Sequence, residues 1–377
     1  MRITLVTETY FPQVNGVSRT LGQLRRALTE RGDAVQLIHP NYGGPANDPS
    51  VVPVRSIRVP FYPELHLPVP PFGRVRRAID AFRPDLIHVA TEAMLGLSVL
   101  NHAKRGGIPV VSSFHTNFDQ YTHHYGVGWT RSWIWRYLRW FHNRAAETYV
   151  PSRATIADLQ NRGFERLVLW PRGVDAVLFH PGRSGRERVR SALGLEPGDV
   201  VIGHVSRIAA EKNVGFLGDA LAMVRAVRSN VKLLIVGDGP EREALERTLG
   251  PTARFVGYRK GDDLADHYAA ADLFAFASVT ETFGNVVLEA MASGLPVVAL
   301  RAGGPGEIVQ DGDTGLLAPV DAAPEEFADA LIRLVDDSAA RRAMAEAART
   351  YALSQSWDTI MQGLRERYKA VADGASR

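Results

Sequence analysis

Glu281 and Glu289 stand eight positions apart in Thr280-Glu281-Thr282-Phe283-Gly284-Asn285-Val286-Val287-Leu288-Glu289, the segment of this chain best equipped for chemistry. The apolar run 272–278 reads as a buried strand, and 286–293 reads as a helix stopped by Gly294. A strand, a loop and a helix N-terminus therefore follow one another. The N–H groups of such a terminus, with the helix dipole behind them, favour an anion such as a diphosphate, and Gly284 lets the backbone approach it closely. Phe283, Gly284, Asn285 and Val286 are the expected donor contacts around that terminus. Glu289 falls inside the helix, roughly one to two turns from the anion, within reach of a ribose hydroxyl pair. Glu281 precedes the helix and can face a sugar on the far side of the phosphates. A nucleotide sugar has all three parts. The plain alternative is a capped surface helix that carries two glutamates and binds nothing.

This Glu-x7-Glu stretch resembles the signature of retaining glycosyltransferases with the GT-B fold, in particular family 4, which includes bacterial GDP-mannose-dependent α-mannosyltransferases and sulfoquinovosyltransferases. The resemblance runs along nearly the whole chain. In Val205-Ser206-Arg207-Ile208-Ala209-Ala210-Glu211-Lys212-Asn213, Arg207 and Lys212 occupy the loop after a strand. Two cations there can neutralise the charge that grows on a departing diphosphate, which stabilises the transition state rather than the substrate. Alone, they read equally as solvated surface charges; the family has an Arg and a Lys at matching positions in that role. Gly237-Asp238-Gly239 closes another strand with a tight turn open to a nucleotide, and the run around Val256 is similar to the family segment whose backbone meets the base.

Further candidates lie in the first half. Asn15-Gly16 can form a left-handed turn whose N–H groups face the donor phosphate. Asn in place of a second Gly resembles the mannosyl- and sulfoquinovosyltransferase branch and implies a lipid acceptor. His115 follows an apolar strand at the family position that contacts the transferred sugar near the reacting carbon; outside that resemblance it reads as a structural hydrogen-bonder. Asp119 and Tyr121, in the same segment, are candidate acceptor contacts. His123 and His124 are adjacent, and the carboxylates near these motifs form no Asp-x-Asp pair, so no metal ligand set is expected. Cations and a helix terminus replace the metal in a metal-independent GT-B enzyme.

Strands alternating with helical segments must position these groups. Apolar, β-branched runs at 3–7, 34–39, 86–89, 110–113 and 148–150, then at 200–205, 232–236, 254–256, 273–277 and 297–300, predict two doubly wound, parallel, Rossmann-like sheets, an α/β architecture. In the GT-B fold two such domains face each other across a cleft. Residues 1–172 are the expected acceptor-binding domain and 178–352 the nucleotide-sugar-binding domain, joined by a Pro- and Gly-punctuated hinge at 169–181. An amphipathic stretch within 355–377 is, by resemblance, the helix that crosses back onto the first domain.

At 377 residues the chain suits two such domains. It has no cysteine, no run apolar enough to cross a bilayer and no signal-peptide pattern, which predicts a cytoplasmic protein, with a peripheral position at the inner face of the cell membrane as the further expectation. The net charge of +3 conceals +8 on residues 1–175 and −5 on the remainder. A basic half attracts anionic partners, although solubility alone also accounts for it. Trp129, Trp133, Trp135 and Trp140 interleave with Arg131, Arg136 and Arg139, a pattern suited to an anionic headgroup layer or, equally, to a helix whose aromatic face is core. No nucleic-acid-binding module accompanies the charge.

The expected activity is retaining transfer of a hexosyl group, mannosyl from GDP-mannose in the first instance, to a hydroxyl of a membrane lipid or lipid-linked glycan. Arg207 and Lys212 would stabilise the leaving diphosphate, Glu281 and His115 would hold the sugar, and Glu289 the ribose. The alternatives are a UDP-sugar-dependent glucosyl- or sulfoquinovosyl-type transferase, a nucleotide-sugar epimerase or phosphorylase, and a non-catalytic sugar-nucleotide-binding protein. The first turn, Glu8 to Gly16, lacks Gly-x-Gly-x-x-Gly and so disfavours a dinucleotide-dependent dehydrogenase.

Overall fold

The computed structural model describes residues 1–13, 16–43, 48–59, 62–115, 131–196, 198–251 and 253–375, and these form two compact units. One comprises residues 1–171 and 358–377, the other residues 172–357.

The first unit is built on a seven-stranded parallel sheet, in the order β3 (Val51–Val54), β2 (Ala34–Pro40), β1 (Arg2–Val6), β6 (Leu86–Val89), β7 (Val110–Ser113), β8 (Glu147–Val150) and β9 (Leu167–Leu169). An antiparallel hairpin, β4 (Ser56–Val59) and β5 (Tyr62–Pro68), stands apart from it. The helices of this unit are α1 (Gly16–Glu30), α2 (Gly73–Phe82), α3 (Met94–Arg105), α4 (Arg131–His142) and α5 (Arg153–Asn161). The second unit carries α6 (Arg186–Ala192), α7 (Val214–Val227), α8 (Arg242–Leu249), α9 (Gly261–Ala270), α10 (Asn285–Ala292), α11 (Pro305–Ile308), α12 (Pro324–Asp336) and α13 (Ser338–Ser354). The last helix, α14 (Trp357–Ala375), belongs from Asp358 onward to the first unit. There Arg365 grips the buried Asp33 with Nε–Oδ2 2.6 Å and Nη2–Oδ1 3.0 Å, and the same carboxylate takes the N-terminal ammonium at 2.8 Å. Arg367 pairs with Glu147, and Tyr368 is wholly buried.

The second unit's sheet is six-stranded and parallel, in the order β12 (Ala253–Gly257), β11 (Val231–Val236), β10 (Val200–Val205), β13 (Leu273–Phe276), β14 (Val297–Leu300) and β15 (Gly315–Ala318). Helices cover both faces, so its strands are largely apolar, with His204, Lys232 and Arg254 as the ionisable exceptions. Alternate side chains serve opposite layers: Leu273 and Ala275 pack with α7 and α12, whereas Phe274 and Phe276 pack with α9 and α10. Each wholly buried Leu or Phe contributes about 1.5–3 kcal/mol, and that burial fixes the register of the loops that follow the strands. In both sheets the chain moves outward from the first strand in one direction and then returns to continue in the other, which puts a switch point between β10 and β13 here and between β1 and β6 in the first unit. Ligands of such sheets bind at the carboxyl ends of the strands beside the switch point.

Candidate donor and sugar sites

Arg207 and Lys212 follow β10, and Glu281 follows β13, so the three flank the switch point of the second unit. A single turn of 3-10 helix, Ala210–Lys212, presents the lysine. Its ammonium is ion-paired with the Glu281 carboxylate, each side chain about one-fifth exposed. Arg207 is not drawn into that pair. It is largely exposed and pairs with Glu211, four residues on. Burial would raise the Glu211 carboxyl, but the Arg207 hydrogen bond, together with the charges of Arg207 and Lys212, holds it below the usual carboxylate range. Two bonds fasten the loops together: Thr280 Oγ1 donates to Glu211 O at 2.8 Å, and Asn213 Nδ2 donates to Ala277 O at 3.2 Å.

Gly284 immediately precedes α10 with φ +90°, where a Cβ would stand 2.9 Å from Pro305 Cγ. A side chain is excluded there by conformation and by space. One residue on, Asn285 Oδ1 is buried without a hydrogen-bond partner among the described residues, a polar atom suited to a hydroxyl-bearing ligand. Phe283 and Val286 are half-buried on either side. Glu289, almost fully buried, has the Tyr268 hydroxyl 3.1 Å from Oε2, and that hydroxyl also lies 3.3 Å from Val286 O. Tyr268 sits on α9, and no local pattern connects it with Glu289. Gly304 is a second contributor that sequence reasoning missed: its N–H donates to Glu281 O at 2.9 Å, and a Cβ would fall 2.1 Å from Phe283 O. It clamps the loop that carries Glu281.

Gly237 ends β11 and donates to Gly257 O at 2.9 Å. The Asp238 carboxylate is occupied by its own turn, accepting from Gly239 N at 2.8 Å and from Arg242 at 3.2 Å. Val256 lies half-buried in β12, next to β11.

In the first unit His115 stands just beyond β7, half-buried, with Nε2 2.7 Å from Ser113 Oγ and its ring 5.9 Å from that of Trp170. Gly16 opens α1. Asn15, Asp119, Tyr121 and Trp129 lie outside the described residues. Two carboxyls went unread: Glu8, after β1, accepts from Leu95 N at 2.7 Å, and Glu92 follows β6, so both stand beside the switch point of their sheet. Burial raises Glu8, and burial with the Glu8 charge pushes Glu92 up to about 7.

The aromatic and basic segment divides between core and surface. Trp135 stacks on Phe114 at 6.4 Å and abuts Phe164, with Arg162 over its ring. It is packing, not surface. Trp133 and Trp140, 63% and 41% exposed, carry Arg136 and Arg144 over their rings at 4.8 and 4.1 Å. Among the described residues no three His, Asp or Glu side chains gather as a metal site, and no helix is long and apolar enough to cross a membrane.

The second unit therefore gathers two cations, a carboxylate and a helix N-terminus beside its sheet's switch point. Residues 14–178 match the family model described as Glycosyltransferase Family 4, and 199–337 match that of Glycosyl transferases group 1. The GDP-mannose-dependent alpha-mannosyltransferase of Mycobacterium tuberculosis is 38% identical, across 98% of this chain and 97% of its own length. The sulfoquinovosyl transferase SQD2 of Arabidopsis thaliana is 35% identical, across 98% of this chain and 74% of its own. The alpha-monoglucosyldiacylglycerol synthase of Streptococcus pneumoniae is 31% identical, across 79% and 71%. Among solved structures, Anabaena HepE in complex with UDP shares the fold with a TM-score of 0.80 at 23% identity, across 98% of this chain and 100% of its own. The chain belongs to glycosyltransferase family 4, and it is a GT-B enzyme that uses a nucleotide-sugar donor.

Proposed function

We propose that the protein transfers a mannosyl group from GDP-mannose, with retention of anomeric configuration, to a hydroxyl of a membrane lipid or lipid-linked glycan. The observation that carries this reading is the junction of Lys212, Glu281 and the α10 N-terminus at one switch point. As the bond from the anomeric carbon to the diphosphate breaks, negative charge grows on the diphosphate. Lys212, Arg207 and the N–H groups at Gly284 to Val286 stabilise it there. Glu281 and His115 hold the hexose, and Glu289, steadied by Tyr268, takes the ribose hydroxyls. The acceptor hydroxyl attacks from the face that the diphosphate leaves and passes its proton to the departing phosphate, so the new glycosidic bond keeps the donor's configuration. With two cations and a helix terminus sharing the phosphate charge, the reaction needs no divalent ion.

The mannosyltransferase among the relatives supports GDP-mannose, and the diacylglycerol synthase supports a lipid acceptor, together with the exposed Trp133 and Trp140 among arginines. A UDP-sugar donor is the second reading, favoured by the sulfoquinovosyl and glucosyl relatives. Thermal-shift measurement with GDP, UDP and ADP separates the two, since a ligand at 100 times its Kd adds about 2.7 kcal/mol of apparent stability. GDP should stabilise most, and GDP should be released from GDP-mannose in the presence of EDTA, fastest with lipid acceptor present. Stabilisation by UDP alone would exclude GDP-mannose.

A further inference from the structure

A chain of four side chains runs through the first unit from its last helix to His115. Tyr368, on α14, has its hydroxyl 2.5 Å from His88 Nδ1. His88 Nε2, in β6, lies 2.9 Å from Ser113 Oγ, and Ser113 Oγ, at the end of β7, lies 2.7 Å from His115 Nε2. Tyr368, His88 and Ser113 are wholly buried, and the Tyr149 and Trp170 rings pack edge-on against His88 at centroid separations of 5.9 and 5.7 Å.

The direction of the protons along this chain is determined at its buried end. His88 Nδ1 is the one hydrogen-bond partner of the Tyr368 hydroxyl among the described residues. If that hydroxyl accepted from His88, its own proton would be buried with no acceptor, the costlier arrangement. Tyr368 therefore donates to Nδ1, and a neutral His88 carries its proton on Nε2. That N–H donates to Ser113 Oγ, and the single Ser113 proton is left for His115 Nε2. His115 Nε2 is consequently an acceptor, and the proton of the neutral ring sits on Nδ1.

We propose that Tyr368 is a positioning residue for the transfer reaction: through His88 and Ser113 it holds His115 in the tautomer that offers Nδ1–H as a donor. This rests on the reading of His115 as a contact of the transferred sugar. A ring fixed in one tautomer and one orientation reaches a sugar hydroxyl without first reorganising, which preserves the near-attack geometry on which turnover depends. Neither Tyr368 nor His88 touches substrate in this scheme.

Long-range proton–nitrogen correlation on protein labelled with 15N-histidine reads the tautomer directly, with His115→Gln identifying the His115 signals among the 11 histidines. Wild-type His115 should show a protonated Nδ1 and a bare Nε2. Tyr368→Phe keeps the ring and its packing but removes the first donor, so His115 should become a mixture of tautomers. GDP release from GDP-mannose, or UDP release from UDP-glucose if UDP is the stabilising nucleotide, should then fall about 3- to 10-fold in kcat with donor KM little changed. Ser113→Ala, which cuts the chain next to His115, should act alike if Tyr368→Phe fails to fold. A wild-type His115 protonated on Nε2, or a Tyr368→Phe protein with unaltered tautomer, would overturn the proposal. So would a changed tautomer with unchanged kcat where His115→Gln is impaired. If His115→Gln turns over normally, the sugar-contact reading fails instead, and the tautomer measurement still decides the link to Tyr368.

Discussion

Lys212 meets a carboxylate where the proposed reaction needs it to meet a diphosphate. The Glu281 pairing keeps the ammonium at the carboxyl end of β10, about one-fifth exposed, rather than swinging in solvent. A cation held that way loses little further freedom when phosphate charge develops beside it, which is the condition for transition-state stabilisation. Lys212→Ala should therefore lower kcat by about 10²–10³, with a smaller change in donor affinity. Unchanged turnover would remove Lys212 from the mechanism. Glu289 makes the opposite prediction: ribose contacts are alike in ground and transition states, so Glu289→Ala should chiefly raise donor KM. Tyr268→Phe should raise it in the same direction but less, because only the hydroxyl that steadies the carboxylate is lost. Steady-state kinetics of the three variants would show whether kcat and KM divide in this way.

At the scale of elements, strands buried on both faces were the legible ones. The sequence predicts 86–89, 110–113, 200–205 and 297–300, and the structure forms β6, β7, β10 and β14 over those residues. The short β15, Gly-Leu-Leu-Ala, has no β-branched residue, and β3 contains Pro53 at the sheet edge, so neither announces itself locally. The phosphate cradle is legible because strand, glycine and helix start are contiguous in the chain. Its supports are not: Tyr268 reaches Glu289 and Gly304 reaches Phe283 only through tertiary packing, which no periodicity encodes, and the same holds in the first unit for Tyr368, which reaches His88. Helix α4 shows the same limit, since its composition alone could not separate Trp135, packed on Phe114, from Trp133, which faces outward. That division yields a test. Trp133→Ala should fold normally yet bind anionic vesicles less, whereas Trp135→Ala should lower stability by several kcal/mol. Changing Arg136 and Arg139 together to Gln should reduce vesicle affinity about tenfold or more, at about 1 kcal/mol per basic residue near such a surface, and added salt should do likewise to the parent. Sedimentation with anionic and neutral vesicles measures all of this, and a parent protein indifferent to vesicle charge would leave α4 without a membrane role.

Across the whole molecule the two units should respond differently to mild acid. Among the buried histidines, burial pushes His142 in the first unit down to about 3 and His204 in the second down to about 4. Below pH 6.5 the unfolded chain takes up a proton that neither folded ring accepts, so each contributes a loss of about 2 kcal/mol on going from pH 7 to pH 5. In the first unit Glu92 works the other way. Its carboxyl, pushed up to about 7, binds a proton in the folded state above the pH at which the unfolded chain does, so stability is lost as pH rises from about 4.5 to 7 and returns as pH falls. That return is also about 2 kcal/mol between pH 7 and pH 5 and offsets His142, with the raised Glu8 adding in the same sense and the lowered His39 opposing it. The second unit has no raised carboxyl among the shifts resolved for its described residues; its lowered ones, Glu211, Asp266 and Asp336, lose their stabilisation only as pH falls through the carboxylate range. Hydrogen-exchange protection, corrected for the intrinsic effect of pH, should therefore drop in β10 and β11 between pH 7 and pH 5 while β6 and β7 hold nearly constant. His204→Gln should flatten the first dependence whatever it does to absolute stability. Glu92→Gln should stabilise the first unit at pH 8 and expose the acid sensitivity that His142 would otherwise confer on it. If both sheets lose protection in parallel in the parent protein, Glu92 does not carry the proton assigned to it.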